Sequence, residues 1–139
     1  MSEFRLVIDT NVLLSAALFS PSVPIALVKW AVFNGTILIS AETMAELSMV
    51  FLRSKFDRYA TKDARMEFFG GFSKQAHEVK IQTRTNACRD PKDNIYLDVA
   101  INGQATHLIT GDNDLLVLNP FQGIKILKPA DFLDSVNAR

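Results

Sequence analysis

Cysteine, histidine and unbalanced charge are scarce in this chain of 139 residues. Its single cysteine, Cys88, has no second cysteine with which to form an internal disulfide, which is typical of proteins from a reducing compartment. Because only two histidines accompany it, a structural zinc site built from Cys and His is excluded. The 15 basic side chains equal the 15 acidic ones, so the protein does not coat nucleic acid by net charge alone.

Long hydrophobic runs are also missing. The longest apolar stretches, at residues 12–19 and 37–39, are far shorter than the roughly 20 residues that a membrane helix needs. Glu3 and Arg5 closely flank the first apolar run, so we expect no secretion leader and no membrane segment. A composition of 48% hydrophobic and 22% charged residues predicts a single globular domain over residues 1–139, located in the cytoplasm.

Short apolar runs recur along the chain and predict the strands of a sheet. They cover residues 5–8, 36–39, 107–110 and 124–127. Each run is nearly continuous in apolar side chains, which is typical of strands that are buried on both faces. Because helical patterns separate the runs, we expect the strands to pair mostly in parallel.

Helical patterns lie between and after these runs. Apolar spacing and capping residues predict helices at residues 24–34, 41–53, 93–101, 114–118 and 129–136, the third of which opens at Pro91 or Asp93. Residues 53–78 predict one or two further helices with a break near Gly70-Gly71, and residues 78–93 predict an irregular segment with at most one short strand. The whole pattern predicts an α/β fold, a three-layer α/β/α sandwich around a central, mostly parallel, twisted sheet.

Four carboxylates are placed to share one pocket in such a fold. Sites in parallel sheets form outside the carboxyl ends of the strands, where Asp9 and Asp112 follow two predicted strands. Glu46 lies about two turns into the helix after the second strand, and Asp93 stands at the start of the helix before the third. Carboxylates in one pocket repel each other unless a cation compensates them, and an all-oxygen pocket selects Mg²⁺ or Mn²⁺. Such an ion favours phosphodiester hydrolysis.

Each acid also has a structural interpretation. Asp9 is suited to a turn or to capping the next helix. Glu42 competes with Glu46 from one turn earlier, but the helix dipole already accounts for an acid in the first turn. Other acids near the third and fourth positions have interpretations of the same kind: Asp90 and Asp93 as helix caps, Asp98 as a solvated side chain, and Asp112 and Asp114 as parts of a polar loop.

Five segments taken together resemble the PIN domain. They are VIDTNVL at residues 7–13, AEL at 45–47, RDPKD at 89–93, ITGDNDLL at 109–116 and ILKPADFL at 126–133. The resemblance extends from residue 4 to about residue 134. It is nearest to the bacterial and archaeal members that are described as toxin components of toxin–antitoxin systems.

This resemblance implies a metal-dependent endoribonuclease that cuts single-stranded RNA with Mg²⁺ or Mn²⁺ as its cofactor. It implies a PIN-like fold, a homodimer and a small antitoxin protein as a partner. The family's catalytic and metal-binding acids fall on Asp9, Glu46, Asp93 and Asp112, with Asp114 as an auxiliary metal ligand. The supporting hydroxyl and amide groups fall on Thr10, Asn11 and Thr110.

Two stretches of basic residues are candidates for contact with a phosphate backbone. The first holds Arg53, Lys55, Arg58, Lys62 and Arg65, and the second holds Arg84, Arg89 and Lys92. Two other functions stay open on the sequence. The same fold would serve as a catalytically silent module that binds RNA or protein if the acids lay too far apart to hold a metal ion. Aspartyl phosphotransfer ranks lower, because it requires a second acid where this chain has Asn11.

Overall fold

The sheet has five parallel strands. A computed structural model describes residues 3–137 and arranges the strands in the order β3-β2-β1-β4-β5. The strands are Arg5–Ile8 (β1), Thr36–Ile39 (β2), Ala76–Glu78 (β3), His107–Ile109 (β4) and Lys125–Leu127 (β5). Every neighbouring pair in the sheet is parallel, which confirms the predicted type of pairing.

The helices connect and flank these strands. They are Thr10–Leu18 (α1), Val23–Asn34 (α2), Ala41–Phe51 (α3), Lys62–Gln75 (α4), Asn94–Asn102 (α5), Asn113–Leu116 (α6) and Pro129–Asn137 (α7). Side-chain capping marks the starts of α1, α2, α3, α4 and α6. At α3, for example, the Ser40 side chain accepts a hydrogen bond from the Thr43 amide in a capping box. Two short 3-10 helices, Ser54–Phe56 and Pro91–Asp93, complete the regular structure of the described residues.

Both faces of the sheet are covered. Leu6 and Ile8 are buried in an apolar cluster with residues of α1, α2, α3, α4 and α7, whereas Val7 between them is buried on the opposite face with residues of α5 and α6. A strand that is covered on both sides has no polar face, which explains the continuous apolar run in the sequence. The predicted three-layer α/β/α sandwich is therefore confirmed.

The strand order reverses beside β1. From β1 the chain moves through β2 to β3 on one side of the sheet, and β4 and β5 then lie on the other side. Leu6 accordingly pairs with Ile37 in β2 and with His107 in β4. The carboxyl ends of β1 and β4 are therefore adjacent at the point where open α/β sheets form their ligand sites.

Two local predictions were wrong. Helix α4 runs without a break through Gly70 and Gly71, because buried Phe72 packs the helix against the core and this packing outweighs the helix penalty of the glycines. Residues 76–78, predicted to be helical, form the edge strand β3 instead. Only Ala76 of that strand is half-buried, so no apolar run marks it in the sequence. Helix α1 was not among the predicted helices.

Gly103 ends α5, as the sequence predicts, and it does so for a steric reason. A Cβ atom at this position would lie 2.9 Å from Leu38 Cδ1, from Val79 Cγ2 and from the carbonyl oxygen of Val99. Since real Cβ atoms do not approach other atoms so closely, only glycine lets the end of α5 pack against β2.

Helices α1 and α2 are apolar and short. No single helix within residues 3–137 is long and apolar enough to cross a membrane. These two reach that length and composition only as a pair, and the chain bends by 108° between them. Both contribute buried side chains, such as Leu13 and Leu27, to the cluster on one face of the sheet.

Candidate functional site

An acidic cavity of about 170 Å³ lies at the carboxyl ends of β1 and β4. It is lined by Asp9, Thr10, Asn11, Glu46, Val50, Arg53, Asp93, Tyr96 and Asp112. The four acids singled out in the sequence thus come from four separate segments to one cavity. A larger open depression of about 380 Å³ shares Asp9 and Asp112 and extends past Asn11 towards Pro24 and Pro129.

Asp9 follows β1 and caps α1. Its Oδ1 accepts a hydrogen bond from the Asn11 amide at 3.2 Å, and its Oδ2 accepts one from the Thr110 hydroxyl at 2.7 Å. Burial raises the pKa of Asp9, these two hydrogen bonds oppose the rise, and the charges of Asp112 and Glu46 add to it. Asp9 is therefore a buried carboxyl whose donors within residues 3–137 are all neutral.

Thr110 connects two of the acids. It directly follows β4 and is fully buried, and its hydroxyl oxygen accepts a hydrogen bond from the Asp112 amide at 3.0 Å while the hydroxyl donates to Asp9. Asp112 in turn caps α6 by accepting from the Asp114 amide at 2.9 Å. The relative positions of Asp9 and Asp112 are thus set by one buried hydroxyl.

Glu46 reaches the cavity from α3 and is held by two hydroxyls. The Thr10 hydroxyl donates to Glu46 Oε2 at 3.2 Å, and the Tyr96 hydroxyl donates to the same oxygen. The hydroxyl oxygens of Thr10 and Tyr96 lie 2.6 Å apart. Tyr96 was missed in the sequence, although its position three residues after Asp93 places both on the same side of a helical turn.

The surroundings of Asp93 disfavour the ionised form of its carboxyl group. Its pKa is raised to about 7 by partial burial, by contact with the Asp112 carboxyl, and by the charges of Asp112, Asp90 and Asp9. Its Oδ2 is a buried oxygen for which the described residues supply no hydrogen-bond donor. Because two ionised carboxylates cannot donate to each other, a proton or a cation is needed between Asp93 and Asp112.

A second group of acids overlaps the first. Asp90, Asp93 and Asp114 bring carboxylate oxygens within 4.8 Å of one another. However, Arg89 binds both oxygens of Asp114, at 2.8 and 3.0 Å, and Asp90 accepts a hydrogen bond from the Lys92 amide as a cap. Asp114 does not line the cavity of the other four acids, although it lies beside one of them, Asp93.

Asp98 and Glu42 lie outside the cavity. Asp98, predicted to be a solvated side chain, is instead only 4% exposed and accepts a hydrogen bond from the Thr85 amide at 2.6 Å. Arg84 bridges Asp98, at 3.2 Å, and Glu42. Both acids therefore hold the segment before α5 against α3. Neither lines the acidic cavity, so they are not alternatives to Glu46 and Asp93 there.

One member of the first basic stretch is buried rather than exposed. Arg65 is 1% exposed and donates to the carbonyl oxygens of Phe51, Ala60 and Arg53, as well as to Asp57. The Phe51 carbonyl belongs to the last residue of α3, where a helix leaves carbonyl groups without a helical donor. The prediction of a five-residue surface cluster was therefore wrong for Arg65, whereas Arg53 does reach the edge of the acidic cavity.

The fold and the site define an open parallel α/β protein with a carboxylate-lined cavity at the reversal of its strand order. A family model described as "PIN domain" matches residues 5–114. The chain therefore belongs to the PIN domain family.

One curated protein and two solved structures are similar to this chain. The chain is 30% identical over 119 residues to "Uncharacterized protein MJ1680" of Methanocaldococcus jannaschii, which covers 84% of this chain and 76% of that protein. PAE2754 from Pyrobaculum aerophilum is similar in structure with a TM-score of 0.65 and 16% identity, over 98% of this chain and 91% of that one. VapBC2 from Rickettsia felis, solved bound to a DNA fragment from its promoter, is similar with a TM-score of 0.60 and 14% identity, over 88% of this chain and 97% of that one. At these identities the solved structures bear on the fold alone.

Proposed function

We propose that this protein is a metal-dependent endoribonuclease that hydrolyses phosphodiester bonds in single-stranded RNA, acting as one domain over residues 1–139. The observation that carries the proposal is the meeting of four carboxylates in one cavity, where the groups of residues 3–137 that donate to Asp9 and Glu46 are all neutral. Membership of the PIN domain family supports the same class of reaction.

The cavity fits a divalent cation. Its donors are all oxygens, which favours Mg²⁺ or Mn²⁺ over softer metals, and Oδ2 of Asp93 is a buried oxygen in need of a partner. Asp9, Asp93 and Asp112 are the residues that would hold the ion, and Glu46 would either bind it or orient the attacking water. When bound, the ion supplies Lewis acidity, which lowers the pKa of water and stabilises charge on phosphate oxygens.

The residues of the chain have separate tasks in this hydrolysis. In the second of its two possible roles, Glu46 orients the attacking water and accepts its proton as the water oxygen bonds to phosphorus. The bond from phosphorus to the 3′-oxygen breaks, the 3′-oxygen takes up a proton from solvent, and the other fragment keeps a 5′-phosphate. Thr10, Asn11 and Thr110 keep the acids in place through the hydrogen bonds described above. Arg53, at the cavity edge, is placed to attract the phosphate backbone.

We further propose that the protein is the toxin of a toxin–antitoxin pair and forms a homodimer. Its solved neighbour VapBC2 supports this assignment. An apolar groove of about 500 Å³ between α2 and α4, with Phe33 86% exposed at its rim, offers a surface for a small antitoxin protein. Light scattering is expected to give a dimer, and co-expression with the product of an adjacent gene is expected to suppress cleavage.

We propose that the protein is located in the cytoplasm, with which the unpaired, buried Cys88 is compatible.

Calorimetric titration with Mn²⁺ and cleavage of a fluorescent single-stranded RNA test the proposal together. The wild-type protein should bind Mn²⁺ and cut the RNA only when the ion is present. Asp9→Asn should lose cleavage and keep the fold, since Asn also caps a helix. The control Asp134→Asn, an exposed acid on α7, should behave as wild type. A wild-type protein that binds RNA but shows no acid-dependent binding of Mn²⁺ would instead be a catalytically silent binding module.

A further inference from the structure

Glu46 differs from the other acids of the cavity in how far it must reach. Asp9 directly follows β1, Asp112 follows β4 after Thr110 and Gly111, and both cap helices, so their short side chains are fixed by the backbone. Glu46 instead projects from the second turn of α3 on a longer side chain, which has more rotamer freedom to lose. Its carboxylate therefore requires an external group to hold it in one place.

Tyr96 supplies such a group. Its side chain is 3% exposed and its hydroxyl contacts both Glu46 Oε2 and the Thr10 hydroxyl, so that α1, α3 and α5 meet at one point. Burial and the charges of Asp9 and Glu46 raise the pKa of Tyr96, so the hydroxyl remains a donor at neutral pH. No hydrogen bond within residues 3–137 involves Glu46 Oε1, which leaves that oxygen for the ligand of the cavity.

Packing alone does not account for this hydroxyl. The ring of Tyr96 belongs to the apolar cluster between the sheet and α5, where phenylalanine would fill the same space. A buried hydroxyl loses its hydration and gains stability only through its hydrogen-bond partners, which here are groups of the acidic cavity. We propose that Tyr96 is a positioning residue that fixes the Glu46 carboxylate for catalysis, an inference that rests on the proposed nuclease function.

Tyr96→Phe removes the one oxygen and keeps the ring, and Tyr59→Phe is the matched control because Tyr59 is 49% exposed and outside the cavity. We expect Tyr96→Phe to lower kcat for RNA cleavage about 10- to 100-fold, with KM changed less than about twofold. The affinity of Tyr96→Phe for Mn²⁺, measured by calorimetry, should fall by no more than about twofold. Tyr59→Phe should match wild type in all three quantities. Equal kinetics in the two variants would refute the inference.

A double-mutant cycle with Glu46→Gln separates positioning from a general structural effect. If Tyr96 acts through Glu46, the variant Glu46→Gln/Tyr96→Phe should cut RNA no more slowly than Glu46→Gln alone. Multiplicative losses in the double variant would show that Tyr96 acts elsewhere and would overturn the inference. Should Tyr96→Phe fail to fold, Thr10→Val removes the other hydroxyl on Oε2 and should lower kcat in the same direction, again without effect in the Glu46→Gln background.

The proposed function and the inference fail in distinguishable ways. A wild-type protein that does not cut RNA in Mn²⁺ refutes the nuclease function, and the inference is refuted with it. A wild-type protein that cuts RNA, together with an unimpaired Tyr96→Phe, refutes only the inference.

Discussion

The acids inside the cavity and those just outside it are satisfied by different chemistry. Asp9 and Glu46 accept hydrogen bonds from amides and hydroxyls, which hold the side chain but leave its charge. Asp98 and Asp114 face arginines, which neutralise them. Negative charge is therefore concentrated at the cavity and cancelled a short distance away.

This difference divides the acids into those that an arginine binds and those that only amides and hydroxyls bind. Counting acids in the RDPKD and GDND segments does not separate ligands from structural residues, because all of them are close in sequence. The partner of each carboxylate does separate them, since an arginine occupies the oxygens that a metal ion would use. No arginine among residues 3–137 binds Asp93, which lies between the two groups.

Exchanging one acid from each group should give opposite results, and this is the largest effect that we expect. Asp112→Asn should lower RNA cleavage about 1,000-fold or more, because it removes a metal ligand worth several kcal/mol. Its stability should change little, since Asn also caps α6. Asp98→Asn should retain cleavage within about threefold and lose about 1–3 kcal/mol of stability through its buried hydrogen bonds. Urea denaturation and cleavage assays on both variants check the comparison, and a reversed pattern would contradict it.

Among the arginines that bind an acid outside the cavity, Arg65, which pairs with Asp57, is fully buried. Arg65→Met should destabilise the protein by about 3–4 kcal/mol, because it leaves buried carbonyl oxygens such as that of Phe51 without a donor. Arg58→Met, at an exposed arginine, serves as the control and should change stability by less than about 0.5 kcal/mol. Equal denaturation midpoints for the two variants would show that the buried network contributes nothing.

The pH dependence of stability should report Asp93. Its pKa is about 7 in the folded protein against 3.8 ordinarily, so between these pH values the folded state binds more protons than the unfolded state. Without metal, this carboxyl therefore makes the protein lose stability as pH rises from about 4 to 7. Asp93→Asn should be more stable than wild type by about 2 kcal/mol at pH 8, less than the full shift because solvent screens the partly exposed group. The advantage should disappear near pH 4.

Addition of Mn²⁺ at pH 8 provides the complementary measurement. The ion should raise the unfolding temperature of wild type, because it binds only the folded state, and should raise that of Asp93→Asn much less. A pH-independent difference between the two proteins, or an equal response to Mn²⁺, would show that Asp93 does not face the cation.

The smallest effect is expected from freeing Asp114. Arg89→Ala removes the guanidinium that binds both Asp114 oxygens. The substitution thereby also removes a positive charge near the cavity. Affinity for Mn²⁺ should rise about twofold at low salt, and the gain should fade in 1 M salt. Calorimetry at the two salt concentrations checks this. A gain of more than about tenfold would mean that Asp114 has become a direct ligand.

Much of the fold was readable from local pattern. The short apolar runs located strands β1, β2, β4 and β5, and Gly103 correctly marked the end of α5. The edge strand β3 carries no such run, because two of its three residues are exposed. The expected break at Gly70-Gly71 did not occur, because propensity is a weak preference that tertiary packing overrides.

The candidate site was readable only in part, for a related reason. Asp9 and Asp112 follow strands, so the rule for parallel sheets locates them. Tyr96 and Arg65 act through burial: nothing in the sequence distinguishes a tyrosine that contacts a carboxylate from one that packs, or a buried arginine from an exposed one. The partner of each charged group is a property of the assembled chain.

The pairing of β4 with β1 determines when the cavity can form during synthesis on the ribosome. Leu6 meets His107 across about 100 residues, and Asp112 follows still later in the chain. A nascent polypeptide from which Asp93 and Asp112 have not yet emerged thus holds Asp9 and Glu46 but lacks the other wall of the cavity. The proposed nuclease activity would therefore begin only after both of these later acids have left the exit tunnel.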